Sequence, residues 1–252
     1  MRTLAKLTWV EIKLFIREPI TVVFTIVLPL IFLFVMAGVF GNTPEIDPET
    51  GKEIFRGVGA TDYYIPAYIG LVIASIGVVS LPVHLTAYRE RGVLRRLRAS
   101  SIPVWTVFGS QVVVSFAISI LGTILLIATA IPAYDAALPE SPVLVLAAFV
   151  LSVLSFSALG VLLGAILPTT RAAQGLGLIL FFVMMILSGA GPPREVMTEA
   201  MHWISDATPL RYVILMLQDP WLGFGWNVQA SLVVLGIMAM AVLLSARFFR
   251  WE

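Results

Sequence analysis

The sequence predicts an all-α membrane protein with six transmembrane helices. Of its 252 residues, 59% are hydrophobic and only 12% are charged, whereas soluble domains carry about 25% charged residues. Six apolar stretches are each long enough to cross a bilayer as a helix. The segments between these stretches alternate in the sign of their charge, as expected for loops on opposite sides of a membrane.

The basic residues predict the orientation of these spans. If the N-terminus is cytoplasmic, 12 of the 16 Lys and Arg residues lie on the cytoplasmic side. Only Lys52, Arg56, Arg194 and Arg211 then lie outside. Because basic loops remain in the cytoplasm, we expect both termini to be cytoplasmic.

Composition also limits the partners and cofactors. With no cysteine, the chain has neither disulfides nor thiolate metal sites. Its basic clusters lie beside the predicted spans, where membrane lipid headgroups are the expected counter-charge, and no feature indicates nucleic-acid binding. Six spans use most of the length, so we expect one transmembrane domain over residues 1–252 and no soluble catalytic domain.

An interfacial helix is predicted over residues 2–18. Its cations, which share one stripe of a helical wheel, are Arg2, Lys6, Lys13 and Arg17. Such a helix lies flat on the membrane with its cations among the headgroups. Glu11 falls opposite the cations, which indicates that it faces protein rather than lipid. Pro19 is expected to end this helix and to begin the next.

The first three spans are predicted at about 20–40, 63–87 and 103–131. We expect Pro29 to kink the first of them. A cleaved signal peptide is the alternative for this span, but its apolar core would be shorter, about 7–15 residues. Residues 41–60 are polar and form the predicted first outer loop.

The last three spans are predicted at about 142–167, 172–190 and 227–246. In the fourth span, Gly160-x-x-x-Gly164 predicts close helix packing, which we assign to contacts within one subunit. Residues 191–225 are too charged to span the membrane and too apolar for a free loop. We predict two short re-entrant helices there, separated at Pro209 and dipping into the outer leaflet.

The chain lacks the residues that would energise transport. It has no G-x-x-x-x-G-K-[ST] phosphate-binding loop and no H-E-x-x-H motif. Its two histidines, His84 and His202, lie far apart, and we interpret His84 as a packed or water-exposed polar group. The spans have no Asp, Glu, Lys or Arg in their middles, which argues against proton coupling. The sequence does not exclude a sodium site made of carbonyl and hydroxyl oxygens. Without such a site, transport would be passive or driven by a partner.

The basic segment over residues 88–101 is the candidate attachment point for a soluble partner. Gly92 is expected to break the helix that leaves the second span. The residues around and beyond it combine an arginine stripe with a leucine pair: Arg91, Arg95 and Arg98, with Leu94 and Leu97. This pattern suits a short helix that docks into a groove, and an anchor that only fixes orientation is the alternative.

The run Glu90-Arg-Gly-Val-Leu-Arg-Arg-Leu-Arg-Ala-Ser, followed by Pro103, resembles the E-x-G-T-L-x-R-L-x-A-T-P stretch of ABC-2 type transporter permeases. Further matching motifs follow the order of the family: Ile16-Arg-Glu-Pro19, Tyr64-Ile-Pro-Ala-Tyr-Ile-Gly70, Leu187-Ser-Gly189 with Pro192 and Pro193, and Thr208-Pro-Leu-Arg-Tyr212. The chain departs from the family where Ala190-Gly191 precede Pro192, because an apolar and aromatic run is usual there.

The resemblance implies an exporter subunit, similar to drug-efflux permeases, in the cytoplasmic (inner) membrane of a prokaryote. Such permeases form complexes of two permeases, identical or paralogous, with two separate ATP-binding subunits, which bind the ATP and Mg²⁺. Residues 2–18 would be the elbow helix, with Lys13, Arg17, Glu18 and Pro19 at its end. Residues 91–100 would be the coupling helix that docks on the ATPase. The residues implied in docking are Glu90, Arg91, Gly92, Leu94, Arg95, Arg96, Leu97 and Arg98.

The resemblance also implies that the second and fifth spans line the substrate path. The candidate path residues are Ser75, Ser80, Gln174, Phe181, Met184, Met185 and Ser188. Phe and Met side chains with few hydroxyls suit a hydrophobic or amphipathic substrate. Two other hypotheses remain: a self-sufficient secondary carrier or channel, and a scaffold that anchors an enzyme complex without transporting.

Overall fold

The computed structural model describes residues 2–46, 51, 53–99 and 104–248. Predictions that concern Lys52, Pro103, Arg250 and Glu252 fall outside these residues. The same holds for predictions about the side chains of Arg2, Lys6, Arg95, Leu97 and Arg98.

The described part of the chain contains ten helices of seven or more residues. They are α1 (Arg2–Ile16), α2 (Pro19–Phe40), α3 (Ala60–Glu90), α4 (Val93–Ala99), α5 (Val104–Tyr134), α6 (Pro142–Ile166), α7 (Thr170–Leu187), α8 (Glu199–Asp206), α9 (Pro209–Trp221) and α10 (Val228–Phe248). Six of them, α2, α3, α5, α6, α7 and α10, are long and apolar enough to cross a membrane. The six predicted spans are therefore confirmed as helices, and their ends differ from the prediction by only a few residues.

The spans have two chemically different ends. The basic end carries α1, α4 and residues such as Arg89. At this end α2, α5 and α7 begin, and α3, α6 and α10 finish. The acidic end carries Asp62, Asp206 and Asp219, together with the short helices α8 and α9. α9 begins at Pro209, as the sequence predicts, because proline fits the first turn of a helix but not its interior.

α3 is the central helix of the fold. Its apolar window is completely buried, and it packs against α2, α5, α6, α7 and α9. The windows of α2, α7 and α10 are only 28% buried, so these helices are peripheral. α3 thus has protein on all sides, whereas its neighbours keep one face for lipid or another subunit.

Two spans contain a π-helical turn just before a proline. The turn in α2 covers Val23–Val27 and precedes Pro29. The turn in α3 covers Ile76–Ser80 and precedes Pro82. A proline ring crowds the carbonyl four residues earlier, which lies in the π turn in both cases. The wider turn accommodates the proline without ending the helix.

Three glycines bring α3, α6 and α7 into backbone contact. A Cβ built on Gly160 of α6 would clash with the carbonyl oxygen of Gly77 in α3. A Cβ built on Gly177 of α7 would clash with the carbonyl oxygen of Val78. Gly164 packs against Leu85, also in α3. The prediction that Gly160 and Gly164 serve packing within one subunit is confirmed.

Candidate functional site

The predicted coupling helix is α4, which follows α3 after a sharp turn. Gly92 has a φ of 64°, a value that residues with a Cβ rarely adopt. The predicted break at Gly92 is therefore confirmed. The side chain of Leu94 is buried and packs within the chain, whereas Arg91 and Arg96 are exposed. Arg96 Nη2 donates to the Arg91 carbonyl oxygen at 2.9 Å, and both of these side chains lie on the surface of the protein.

The last two residues of α3 hold the turn that joins α6 to α7. Arg89 donates through Nη1 to the carbonyl oxygens of Gly164 (3.3 Å) and Ala165 (3.2 Å), and through Nη2 to that of Leu167. These carbonyls lie at the C-terminal end of α6 and have no partner within the helix. A cation at this end also complements the helix dipole.

Glu90 makes the complementary contact with the start of α7. Its Oε1 accepts from the Thr170 backbone N–H at 3.0 Å, and its Oε2 accepts from the Thr170 hydroxyl at 2.6 Å. A carboxylate is favourable at a helix N-terminus, where backbone N–H groups are unpaired. Together with Arg89, Glu90 joins the base of α4 to both helices of this turn, a contact that the sequence did not predict.

The predicted elbow helix α1 is joined to the same region of α3. The Glu11 side chain is 2% exposed, and its Oε1 accepts a hydrogen bond from the Tyr88 hydroxyl. The prediction that Glu11 faces protein is therefore confirmed. Next to this pair, His84 is buried and its Nδ1 lies 2.8 Å from the Ser80 carbonyl oxygen. His84 is thus a packed polar group, one of the two interpretations made from the sequence.

The end of the predicted elbow also contacts this cluster. Glu18 Oε2 accepts from the Thr21 hydroxyl at 3.1 Å, and Glu18 Oε1 lies 3.8 Å from His84 Nε2. Pro19 begins α2, as the sequence predicts. Lys13 and Arg17 are exposed, and the Lys13 ammonium lies 5.1 Å from the centre of the Trp9 ring.

Most of the candidate path residues lie inside one copy of the protein. Six of the seven are buried: Ser75, Ser80, Phe181, Met184, Met185 and Ser188. Gln174 is partly exposed. The Ser75 hydroxyl donates to the Val72 carbonyl oxygen of its own helix at 2.8 Å. The exposed face of α7 instead carries Ile179, Val183 and Ile186.

The acidic end contains an ion pair that the sequence did not predict. Arg56 of the first loop lies 2.7 Å from Asp219 of α9, an ion pair rather than an aligned hydrogen bond. Gln218 donates to the Tyr63 carbonyl oxygen at 2.9 Å, and Asn227 donates to Asp219 at 2.6 Å. The predicted first outer loop is therefore fixed to α9, and α9 is in turn bonded to α3 and to the residue before α10.

No group of three or more His, Cys, Asp or Glu side chains that could hold a metal ion occurs over the described residues. The site therefore consists of exposed basic groups at one end of a helical bundle, fixed to three of its elements. Such a fold, with six long apolar helices, defines a multi-pass membrane protein with exposed basic groups at one end.

The sequence model of the ABC-2 type transporter family matches residues 3–220, so the chain belongs to this family. This match covers α1 to α9 almost completely and confirms the resemblance found in the sequence motifs. The comparison with curated proteins gives no match. Members of this family are the membrane domains of transporters and normally work with an ATP-binding subunit.

Proposed function

We propose that this chain is the membrane subunit of an ATP-driven exporter, energised by a separate ATP-binding subunit. It moves a hydrophobic or amphipathic substrate across the cytoplasmic membrane of a prokaryote. A second permease, identical or paralogous, completes the membrane part of the complex. ATP and Mg²⁺ bind to the partner subunits and not to this chain.

The arrangement around α4 is the observation that carries the proposal. Arg91 and Arg96 form an exposed basic surface on a short helix. The base of this helix is fixed to the α6–α7 turn through Arg89 and Glu90, and to α1 through Tyr88. A displacement of α4 by a soluble partner would therefore act on three parts of the bundle at once.

In this proposal, energy passes from the ATP-binding subunits through α4 into the bundle. Closure of two ATP-binding subunits would bring the two α4 helices together, and α3 would transmit the movement to α6 and α7. Net work requires that the inward-facing and outward-facing states differ in their contacts with substrate and nucleotide. The substrate class is supported by the exposed apolar residues of α7, Ile179, Val183 and Ile186.

The test is co-expression with Walker-type ATPases from the same genome, starting with those encoded beside this chain. We expect one of them to co-purify with the protein and to hydrolyse ATP faster in the complex. The substitution Arg96→Glu should weaken co-purification and lower this stimulation at least about fivefold, because reversing one charge of a close charged contact costs on the order of 1 kcal/mol or more. The permease should still fold.

Arg247→Glu is the matched control, because it reverses an exposed charge at the same end of the molecule on α10, outside the predicted elbow and coupling helices. It should leave the stimulation unchanged. Normal coupling in Arg96→Glu would contradict the role assigned to α4. Gradient-driven uptake of an amphipathic fluorescent dye into liposomes that contain only this chain would instead favour a secondary carrier.

A further inference from the structure

A cavity of about 590 Å³ lies between α5, α6 and α10, away from the site at α4. α5 and α10 each pack against α6 and leave a cleft between them. The lining includes Phe108 and Val112 of α5, Ala158 of α6, and Met238 and Ser245 of α10. The volume falls within the range of about 300–1,000 Å³ that is usual for small-molecule sites.

The lining offers almost no hydrogen bonds to a ligand. Among the described residues that line it, two have polar side chains, Ser157 and Ser245, and the buried Ser157 hydroxyl has no hydrogen-bond partner there. The Ser245 hydroxyl already donates to the Ala241 carbonyl oxygen at 2.6 Å. Two other lining residues, Leu154 and Val242, are 36% and 54% exposed, so the cavity reaches the surface of the bundle within the apolar part of the spans. Its chemistry suits a hydrocarbon chain.

The length of the cleft suits an acyl chain. Along α10 the lining runs from Met238 to Ala246, which corresponds to about 12 Å. An acyl chain can lie lengthwise in a cleft of this length, between α5 and α10.

The position of the cleft adds a charge. Its lining ends next to Arg247, close to the last described turn of α10 and on the same side of the membrane as α4. Arg247 is exposed and has no ion-pair partner among residues 2–46, 51, 53–99 and 104–248. Basic residues at this depth attract anionic headgroups.

We propose that this cavity binds one acyl chain of an anionic phospholipid from the leaflet at the basic end, with the lipid phosphate beside Arg247. This lipid site is independent of ATP coupling. Arg247 selects the headgroup, and the apolar lining binds the acyl chain.

The test uses the full chain in vesicles that contain phosphatidylglycerol with a photoactivatable diazirine acyl chain. After illumination, labelled peptides should map to α5, α6 and α10. Filling the cavity with Ala158→Trp should reduce this labelling about tenfold, which corresponds to a modest loss of binding free energy. Ala147→Trp is the control, since Ala147 is exposed on the same helix outside the cavity, and it should leave the labelling unchanged.

The headgroup is tested separately. Arg247→Glu should lower labelling by phosphatidylglycerol and leave labelling by a phosphatidylcholine probe with the same acyl chain unchanged. Labelling spread evenly over the exposed faces of all spans, or unchanged in Ala158→Trp, would overturn the site. Equal labelling by the two lipids in the unmodified protein would overturn the choice of an anionic lipid.

Discussion

At the scale of single residues, the core depends on glycines where helices meet. Gly160 allows α6 to approach α3 so closely that a Cβ there would meet the Gly77 carbonyl oxygen and lie 3.1 Å from the Leu81 Cβ. Backbone atoms cannot rotate away as a flexible side chain does. We therefore expect Gly160→Ala to destabilise the protein by about 1–3 kcal/mol, the usual cost of overpacking. The measurement is the midpoint of thermal unfolding in detergent.

Gly175 provides the matched control for this prediction. It also lies within a spanning helix, but a Cβ at this position has no atom within 4 Å. Gly175→Ala should be neutral or stabilise by up to about 1 kcal/mol, because alanine favours the helix over glycine. Equal unfolding midpoints for the two variants would show that the close approach of α6 and α3 is not important for stability.

A second residue-scale prediction concerns Glu90 and the start of α7. Glu90→Gln replaces a charged acceptor of two Thr170 hydrogen bonds by a weaker neutral one. We expect faster hydrogen exchange at the Thr170 amide and its neighbours, since the first turn of a helix has no internal partners for its N–H groups. Hydrogen–deuterium exchange followed by peptide mass spectrometry measures this change.

Glu18→Gln is a suitable control for this experiment. Glu18 also accepts a hydrogen bond from a threonine hydroxyl, that of Thr21, at the same end of the molecule. Its replacement should not alter exchange in α7. If both variants, or neither of them, accelerate exchange at Thr170, then Glu90 does not specifically hold the α6–α7 turn.

The sequence predicted Glu11 but not Glu90 or Arg89, for a physical reason. Glu11 interrupts an otherwise regular amphipathic pattern on its own helix, so its placement against protein can be inferred locally. The partners of Arg89 and Glu90 lie 75 to 80 residues further along the chain. No local pattern encodes which helix ends meet, so Glu90 was assigned only to a docking surface and Arg89 only to the cytoplasmic side.

At the scale of the helices, the same end of α3 attaches the interfacial helix. Tyr88→Phe would leave the buried Glu11 carboxyl without its hydrogen-bond donor. An unpaired buried polar group costs about 1–3 kcal/mol, so we expect lower thermal stability and faster proteolysis of α1. Adding Glu11→Met should restore part of the stability, because removing both partners costs less than removing one.

Tyr134→Phe controls for the loss of a tyrosine hydroxyl. That hydroxyl donates to the Phe34 carbonyl oxygen at an exposed position, so its loss leaves no buried carboxyl unpaired. It should change stability little, and proteolysis of α1 should stay at the wild-type rate. A double variant less stable than Tyr88→Phe would contradict the proposed attachment.

The helices themselves were predictable, but their inward faces were not. Length and hydropathy identified all six spans, and prolines marked several of their ends. In lipid, however, the buried and lipid-facing surfaces of a span are both apolar, so periodicity separates them poorly. This is why Ser75 and Phe181 were assigned to a path from the family resemblance, while the structure buries both inside one copy. The π turns in α2 and α3 also have no local pattern beyond the following proline.

For the whole molecule, the contrast between central and peripheral spans limits where the second permease that we propose can bind. α3 is enclosed, so it cannot form the contact, whereas α7 exposes Ile179, Val183 and Ile186 on one face. Two-fold symmetric interfaces bring the same surface of each subunit together. The family resemblance implies that the second and fifth spans line the central path and that the first span also lies at the contact between permeases, so we expect α7 to lie close to its own copy.

This arrangement predicts a specific disulfide pattern. The chain has no native cysteine, so single cysteines report directly on contacts between copies. Val183→Cys should form a disulfide-linked dimer in membranes on mild oxidation, because a disulfide requires Cα atoms within about 7 Å. Leu232→Cys is the control, since Leu232 is 64% exposed on α10. Dimers at Leu232 but not at Val183 would place the second copy elsewhere. Dimers of equal yield at every residue on the exposed faces of α2 and α7 would exclude a defined interface. A chain that pairs only with a paralogue would instead remain uncrosslinked until that partner, carrying a cysteine in its own fifth span, is co-expressed.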